Sequence, residues 1–108
     1  MKKIFAFLAL AAAVNFAVAA DVVGNADAAK EKDKVAMCIG CHAIPGYKTA
    51  FPEVYEVPLL GGQSAKYIES ALHAYKKGDR KHPSMRGIAE SLSDQDIADL
   101  AAYYAQQK

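Results

Sequence analysis

Two cysteines three positions apart, with a histidine directly after the second, constrain this chain more than any other feature. They lie in "MCIGCH", residues 37–42, and the chain has no other cysteine. A C-x-x-C pair closes so small a loop that a disulfide there would restrict the unfolded chain very little. Stapling is therefore a poor reason for the pair. A redox dithiol of the thioredoxin kind sits within a βαβ pattern, and no such pattern occurs here. Structural zinc takes four ligands. Cys38, Cys41 and His42 offer three, two of them adjacent and badly placed for one tetrahedron. C-x-x-C-H is also the attachment signature of c-type haem. There each thiol adds to a vinyl group to form a thioether, and the histidine gives a ring nitrogen to the iron. One helical turn puts all three side chains on one side. This reading expects one covalent haem c, tethered by Cys38 and Cys41, with His42 as an axial ligand.

The compartment agrees with that chemistry. Lys2 and Lys3 precede a nearly unbroken apolar run from Ile4 to Val18, and small residues follow to Ala20. This is the plan of a secretory signal peptide, and the run is at the lower limit for spanning a bilayer. Residues 1–20 are expected to be a cleaved signal peptide and residues 21–108 a single periplasmic domain, with no membrane span after cleavage. Removing Lys2 and Lys3 takes the formal charge from +1 to −1, which gives no reason to expect nucleic acid as a partner. A chain this short buries a small fraction of its surface and gains stability from a cofactor.

Three helical patterns follow, and no strand pattern is convincing, so the expected class is all-α. "NADAAKEKDKVAMCIGCH" starts with Asn25 or Asp27 as cap and runs straight into the cysteine motif. "SAKYIESALHAYKKG" has Ser64 as N-cap and Gly78 as stop, with Tyr67, Ile68, Ala71, Leu72 and Tyr75 in one apolar stripe. "LSDQDIADLAAYYAQ" carries a capping box of Ser93 and Asp96, and Leu92 staples against Ile97. Between the first two lies "AIPGYKTAFPEVYEVPLLGG", read as an irregular loop because Pro52 and Pro58 bracket "VYEV". Tyr47, Phe51, Tyr55, Leu59 and Leu60 are too many large side chains for a solvated linker, so they need an apolar surface to cover.

A haem iron has a second axial position. Met37 adjoins Cys38 on the proximal side and is expected in the core. His73 falls off the apolar stripe, among Lys66, Glu69 and Lys77, and is expected in solvent. His82 and Met85 share the segment after the second helix, where Pro83 biases His82 away from helix. Both are candidates. Met85 is the better placed, because a loop can carry a thioether over the iron without fixed spacing from His42, and methionine ligation suits an electron carrier.

With these residues in view, the sequence resembles the small bacterial class I cytochromes c, including the single-haem domains that form halves of two-haem members. "CIGCH", "PLLGGQSAKYI", "LHAYKKGDRKHPSM" and "LSDQDIADLAAYYAQ" carry the resemblance in that order, with Ala43 standing where many relatives have Gly. The resemblance implies a cytochrome c fold of three main helices and long loops around one haem, the first and last helices crossing. It implies Met85 as distal ligand and a hydrogen bond from His42 to the carbonyl of Pro58. Gln63, Tyr67 and Arg80 are the residues expected near the haem propionates. The expected function is electron transfer by a monomer that transforms no substrate and docks redox partners at the haem edge. A cluster of Lys76, Lys77, Arg80, Lys81 and Arg86 would steer them. The alternative is a five-coordinate haem sensor or the haem subunit of a larger redox enzyme.

Overall fold

The structure is a computed structural model and describes residues 22–50 and 54–107. The signal-peptide expectation and Phe51 and Pro52 of the long loop lie outside the described residues. The order is α1 (Ala26–Glu31), α2 (Ala36–His42), β1 (Lys48–Thr49), β2 (Tyr55–Glu56), α3 (Ala65–Lys77), α4 (Pro83–Glu90) and α5 (Asp94–Ala105). α5 is the centre of the packing: α1 and α3 both lie against it, and α4 lies against α3. Ala29, Ile68, Leu92, Ile97, Leu100, Ala101 and Tyr104 form the core, with Cys38 and Leu72 packed on its edge.

Local chemistry sets most boundaries. The Asn25 side chain accepts from the backbone N–H groups of Asp27 and Ala28 and starts α1. Ser64 caps α3 by accepting from Tyr67 N–H, and Gly78 stops it in the left-handed conformation at φ 88°. Ser93 and Asp96 form the reciprocal capping box of α5, and the backbone bond from Ser93 holds the Asp96 carboxyl below the usual carboxylate range. Each such cap is worth about 1 kcal/mol.

The structure differs from the sequence expectation at four places. The single helix expected over 25–42 is broken into α1 and α2. Asp33 adopts φ 54°, Lys34 N–H bonds the Ala29 carbonyl, and Asp33 N–H bonds the Lys30 carbonyl. That is a Schellman stop with aspartate in the left-handed seat usually held by glycine. The irregular loop contains a short antiparallel pairing, Lys48 with Glu56 and Thr49 with Tyr55. The segment holding Met85 is a helix, α4, because Pro83 occupies its first turn and so costs it no hydrogen bond. Met37 is 36% exposed and not part of the core.

Two salt links fasten the α1–α2 joint to α5. Lys32 reaches Asp99 at 3.6 Å, and Lys34 reaches Asp96 at 3.5 Å. Asp99 is 1% exposed, and its Oδ1 also accepts from Asn25 N–H and Gln95 Nε2, each at 2.8 Å. Just ahead of Asn25 the chain lies flush on α5: a Cβ on Gly24 would fall 2.1 Å from the Ala98 carbonyl oxygen. Gly24→Ala should therefore destabilise the holoprotein by about 1–3 kcal/mol through forced backbone movement. Gly87→Ala, facing open space within α4, should instead gain about 0.5–1 kcal/mol. Denaturant midpoints check both, and a Gly24→Ala midpoint equal to wild type would contradict the close approach.

Candidate haem-attachment site

α2 carries Cys38, Cys41 and His42 on its last turns. Neither cysteine is paired in a disulfide; Cys41 is exposed and Cys38 partly buried. Burial pushes the Cys38 thiol above its ordinary pKa; the nearby Tyr104 hydroxyl opposes that rise, and the neighbouring Cys41 adds to it. Ala43 closes the helix in an ordinary right-handed conformation at φ −98°, so the turn after the histidine needs no glycine.

His42 is oriented from outside its own helix. Its Nδ1 lies 2.6 Å from the carbonyl oxygen of Pro58. A carbonyl only accepts, so Nδ1 carries the ring proton and Nε2 keeps a lone pair. The loop bearing Pro58 is fixed in turn by α5: Gly62 N–H donates to the Tyr104 carbonyl at 3.0 Å. Gly62 holds φ 82°, and a Cβ there would sit 3.1 Å from the Gln107 carbonyl oxygen. A carbonyl that accepts from the ring N–H in this way fixes the tautomer and the ring plane of a metal-binding histidine.

Across from α2, α3 and α4 form a second wall. His82 is the N-cap of α4 and accepts from Met85 N–H through Nδ1 at 3.4 Å. Its ring packs edge-on against Tyr55 at 5.1 Å and Tyr75 at 6.5 Å between centroids. The Arg80 guanidinium lies 4.6 Å from the centre of the Tyr75 ring. His73 stands apart from this wall, 3.9 Å from Asp94.

A cavity of about 350 Å³ is lined both by Cys38, Cys41 and His42 of the α2 end and by His82 and Met85 of the α4 start. The other sequence-predicted residues, Pro58, Gln63, Tyr67 and Arg80, line it too. So does the α3 stripe of Ile68, Ala71, Leu72 and Tyr75. Tyr55, Leu59 and Tyr67 remain 49%, 56% and 52% exposed, and all three face this same space. Tyr55 and Leu59, with Leu60, which also lines the cavity, are loop side chains the sequence left in need of something to cover; Tyr47 does not line it. Among the described residues, no cluster of three or more His, Cys, Asp or Glu side chains could hold a bare metal ion. Two thiols and an imidazole with a free Nε2, set at an apolar cavity whose large side chains are half uncovered, fit a covalently attached haem. Sequence reasoning did not single out Tyr104, which lines the cavity beside Cys38; its spacing from Ile97, Leu100 and Ala101 marks only an apolar helix face.

Comparison with known proteins agrees with this geometry. The family model described as Cytochrome c matches residues 28–108. Cytochrome c-554(548) of Halomonas halodenitrificans is 46% identical over 85 residues, covering 76% of this chain and 98% of that protein. Cytochrome c4 of Pseudomonas aeruginosa is 42% identical over 82 residues, covering 76% of this chain but 39% of its own. The crystal structure of reduced recombinant cytochrome c4 from Pseudomonas stutzeri superposes with a TM-score of 0.58 at 32% identity, covering 80% of this chain and 52% of that one. The chain thus spans nearly all of the first relative and about half or less of the c4 proteins. A family match over residues 28–108, and a relative 46% identical over almost its whole length, make this chain a member of the cytochrome c family, electron-transfer proteins with covalently bound haem.

Proposed function

We propose that the chain is a single-haem electron carrier of the bacterial periplasm, with His42 and Met85 as axial ligands and Cys38 and Cys41 as attachment points. One observation carries the reading: a histidine oriented by Pro58 and a methionine on the facing helix line the same apolar cavity as both thiols. A haem bound there supplies a one-electron ferric–ferrous couple. The protein's own contribution is to hold His42 in the tautomer that leaves Nε2 available, to bring the Met85 thioether to the opposite wall, and to keep water out with Leu59, Tyr55 and the α3 stripe. Membership of the cytochrome c family supports a carrier and not an enzyme. The presence of one C-x-x-C-H in the sequence supports one haem per chain. Among the described residues, no helix is long and apolar enough to cross a membrane.

His82 lines the cavity as well, but its Nδ1 is engaged by the backbone of Met85. A ring engaged as the cap of α4 is the less available of the two candidates, which favours Met85 as the ligand. In Met85→Ala the sulfur-to-iron band at the red end of the ferric visible spectrum should vanish and the reduction potential should fall. His82→Ala should leave both nearly unchanged and cost about 1 kcal/mol of stability through the lost cap. A spectrum and potential altered by His82→Ala and not by Met85→Ala would establish bis-histidine ligation instead.

The cationic segment divides by role. Lys76 donates to the Leu92 carbonyl and lies 3.8 Å from Asp94, while Arg86 pairs with Glu90 at 2.8 Å. Lys77 and Lys81 are exposed beside the α3–α4 wall. We assign the steering of an acidic redox partner to these two, acting mainly on the association rate. Lys77→Glu with Lys81→Glu should slow electron transfer to that partner at low salt. The deficit should shrink as salt shortens the Debye length to about 10 Å at 0.1 M. Equal rates at low ionic strength, with an intact spectrum, would remove both lysines from docking.

A further inference from the structure

Tyr104 is 5% exposed, and its hydroxyl is fully buried with no hydrogen-bond partner. A buried O–H left unmade is costly, and phenylalanine would fill the same space among Ile68, Leu72 and Leu100 without that cost. The hydroxyl therefore needs an acceptor that the polypeptide by itself does not yet supply. Tyr104 and Cys38 line the same stretch of the cavity, and Cys38 packs against the core cluster that contains Tyr104. The thiol's own contact is a long one, 4.0 Å to the Lys34 carbonyl oxygen. Burial raises the pKa of the Tyr104 phenol, so the O–H stays protonated and able to donate.

We propose that Tyr104 donates a hydrogen bond to the Cys38 sulfur once that sulfur has become a thioether, and that this bond raises the reduction potential. A thioether has lost its proton but keeps its lone pairs, so the phenol becomes the only donor of the pair. The positive end of the O–H dipole then points at the attached group from a dry, fixed position. In a low-dielectric site such a dipole favours the state with the extra electron. Tyr104 is thus a tuning residue, while its backbone carbonyl separately holds Gly62 and the Pro58 loop, a role that side-chain substitution spares.

The inference rests on attachment of haem at Cys38, which the mass of a haem-bearing proteolytic peptide checks first. Loss of that adduct in wild type would overturn attachment and this bond together. With the adduct present, Tyr104→Phe holoprotein should show a lower midpoint potential than wild type, with its visible spectrum and unfolding midpoint little changed. A purely structural role would move the unfolding midpoint and leave the potential alone. An unchanged potential in folded Tyr104→Phe overturns the proposal. Should the substitution prevent folding, the wild-type ferrous protein decides by proton NMR. The Tyr104 hydroxyl proton should be a slowly exchanging resonance with an Overhauser contact to the Cys38 methylene, and its absence overturns the bond.

Discussion

The hydrogen bond from His42 to the Pro58 carbonyl joins the two segments around which the rest of the molecule is arranged. Neither segment is held by its own secondary structure. α2 is a seven-residue helix without a side-chain N-cap, and helices this short are marginal alone. The Pro58 segment belongs to a loop with a pairing of two residues per strand. Both partners are braced by α5. Asp96 and Asp99 hold Lys34 and Lys32 at the start of α2, and the Tyr104 carbonyl holds Gly62 beyond Pro58. The most buried helix thus fixes the geometry of a short, uncapped one, which carries the chemistry.

The second constraint is an apolar surface with too little protein to cover it. α3 turns Ile68 toward the core, yet Tyr67, Ala71 and Tyr75 look into the cavity together with Leu59 and Tyr55. A domain of this size cannot leave so much apolar area wet and remain comfortably stable. A group that fills the cavity in the folded state and has nothing to fill in the unfolded one shifts the equilibrium toward folding. Attachment chemistry and stability are therefore one problem in this family, and the same side chains serve both.

The features legible in the sequence were those encoded by a few adjacent residues. The C-x-x-C-H signature needed one turn of chain. The Asn25, Ser64 and Ser93 caps, the Gly78 stop and the Ser93–Asp96 box each depend on neighbours within four positions. What stayed hidden was set by tertiary partners or by a residue acting out of type. The break at Asp33 carries no glycine, and two salt links to α5 accompany it. Pro83 read as loop punctuation, although proline also suits the first turn of a helix, and His82 supplies the cap. Met37 and Tyr104 both fit a core pattern. Met37 lines the cavity at 36% exposure and Tyr104 sets a hydroxyl beside Cys38, because periodicity reports a face and not what lies against it.

Proteolysis of the exported, purified protein followed by mass spectrometry of the coloured peptide tests the central claim most directly. One haem should be found per chain, on a single peptide that contains both Cys38 and Cys41, with neither thiol open to alkylation, and it should resist extraction into acidified acetone. A colourless chain with two alkylatable thiols, or a haem that leaves with the solvent, would contradict the account.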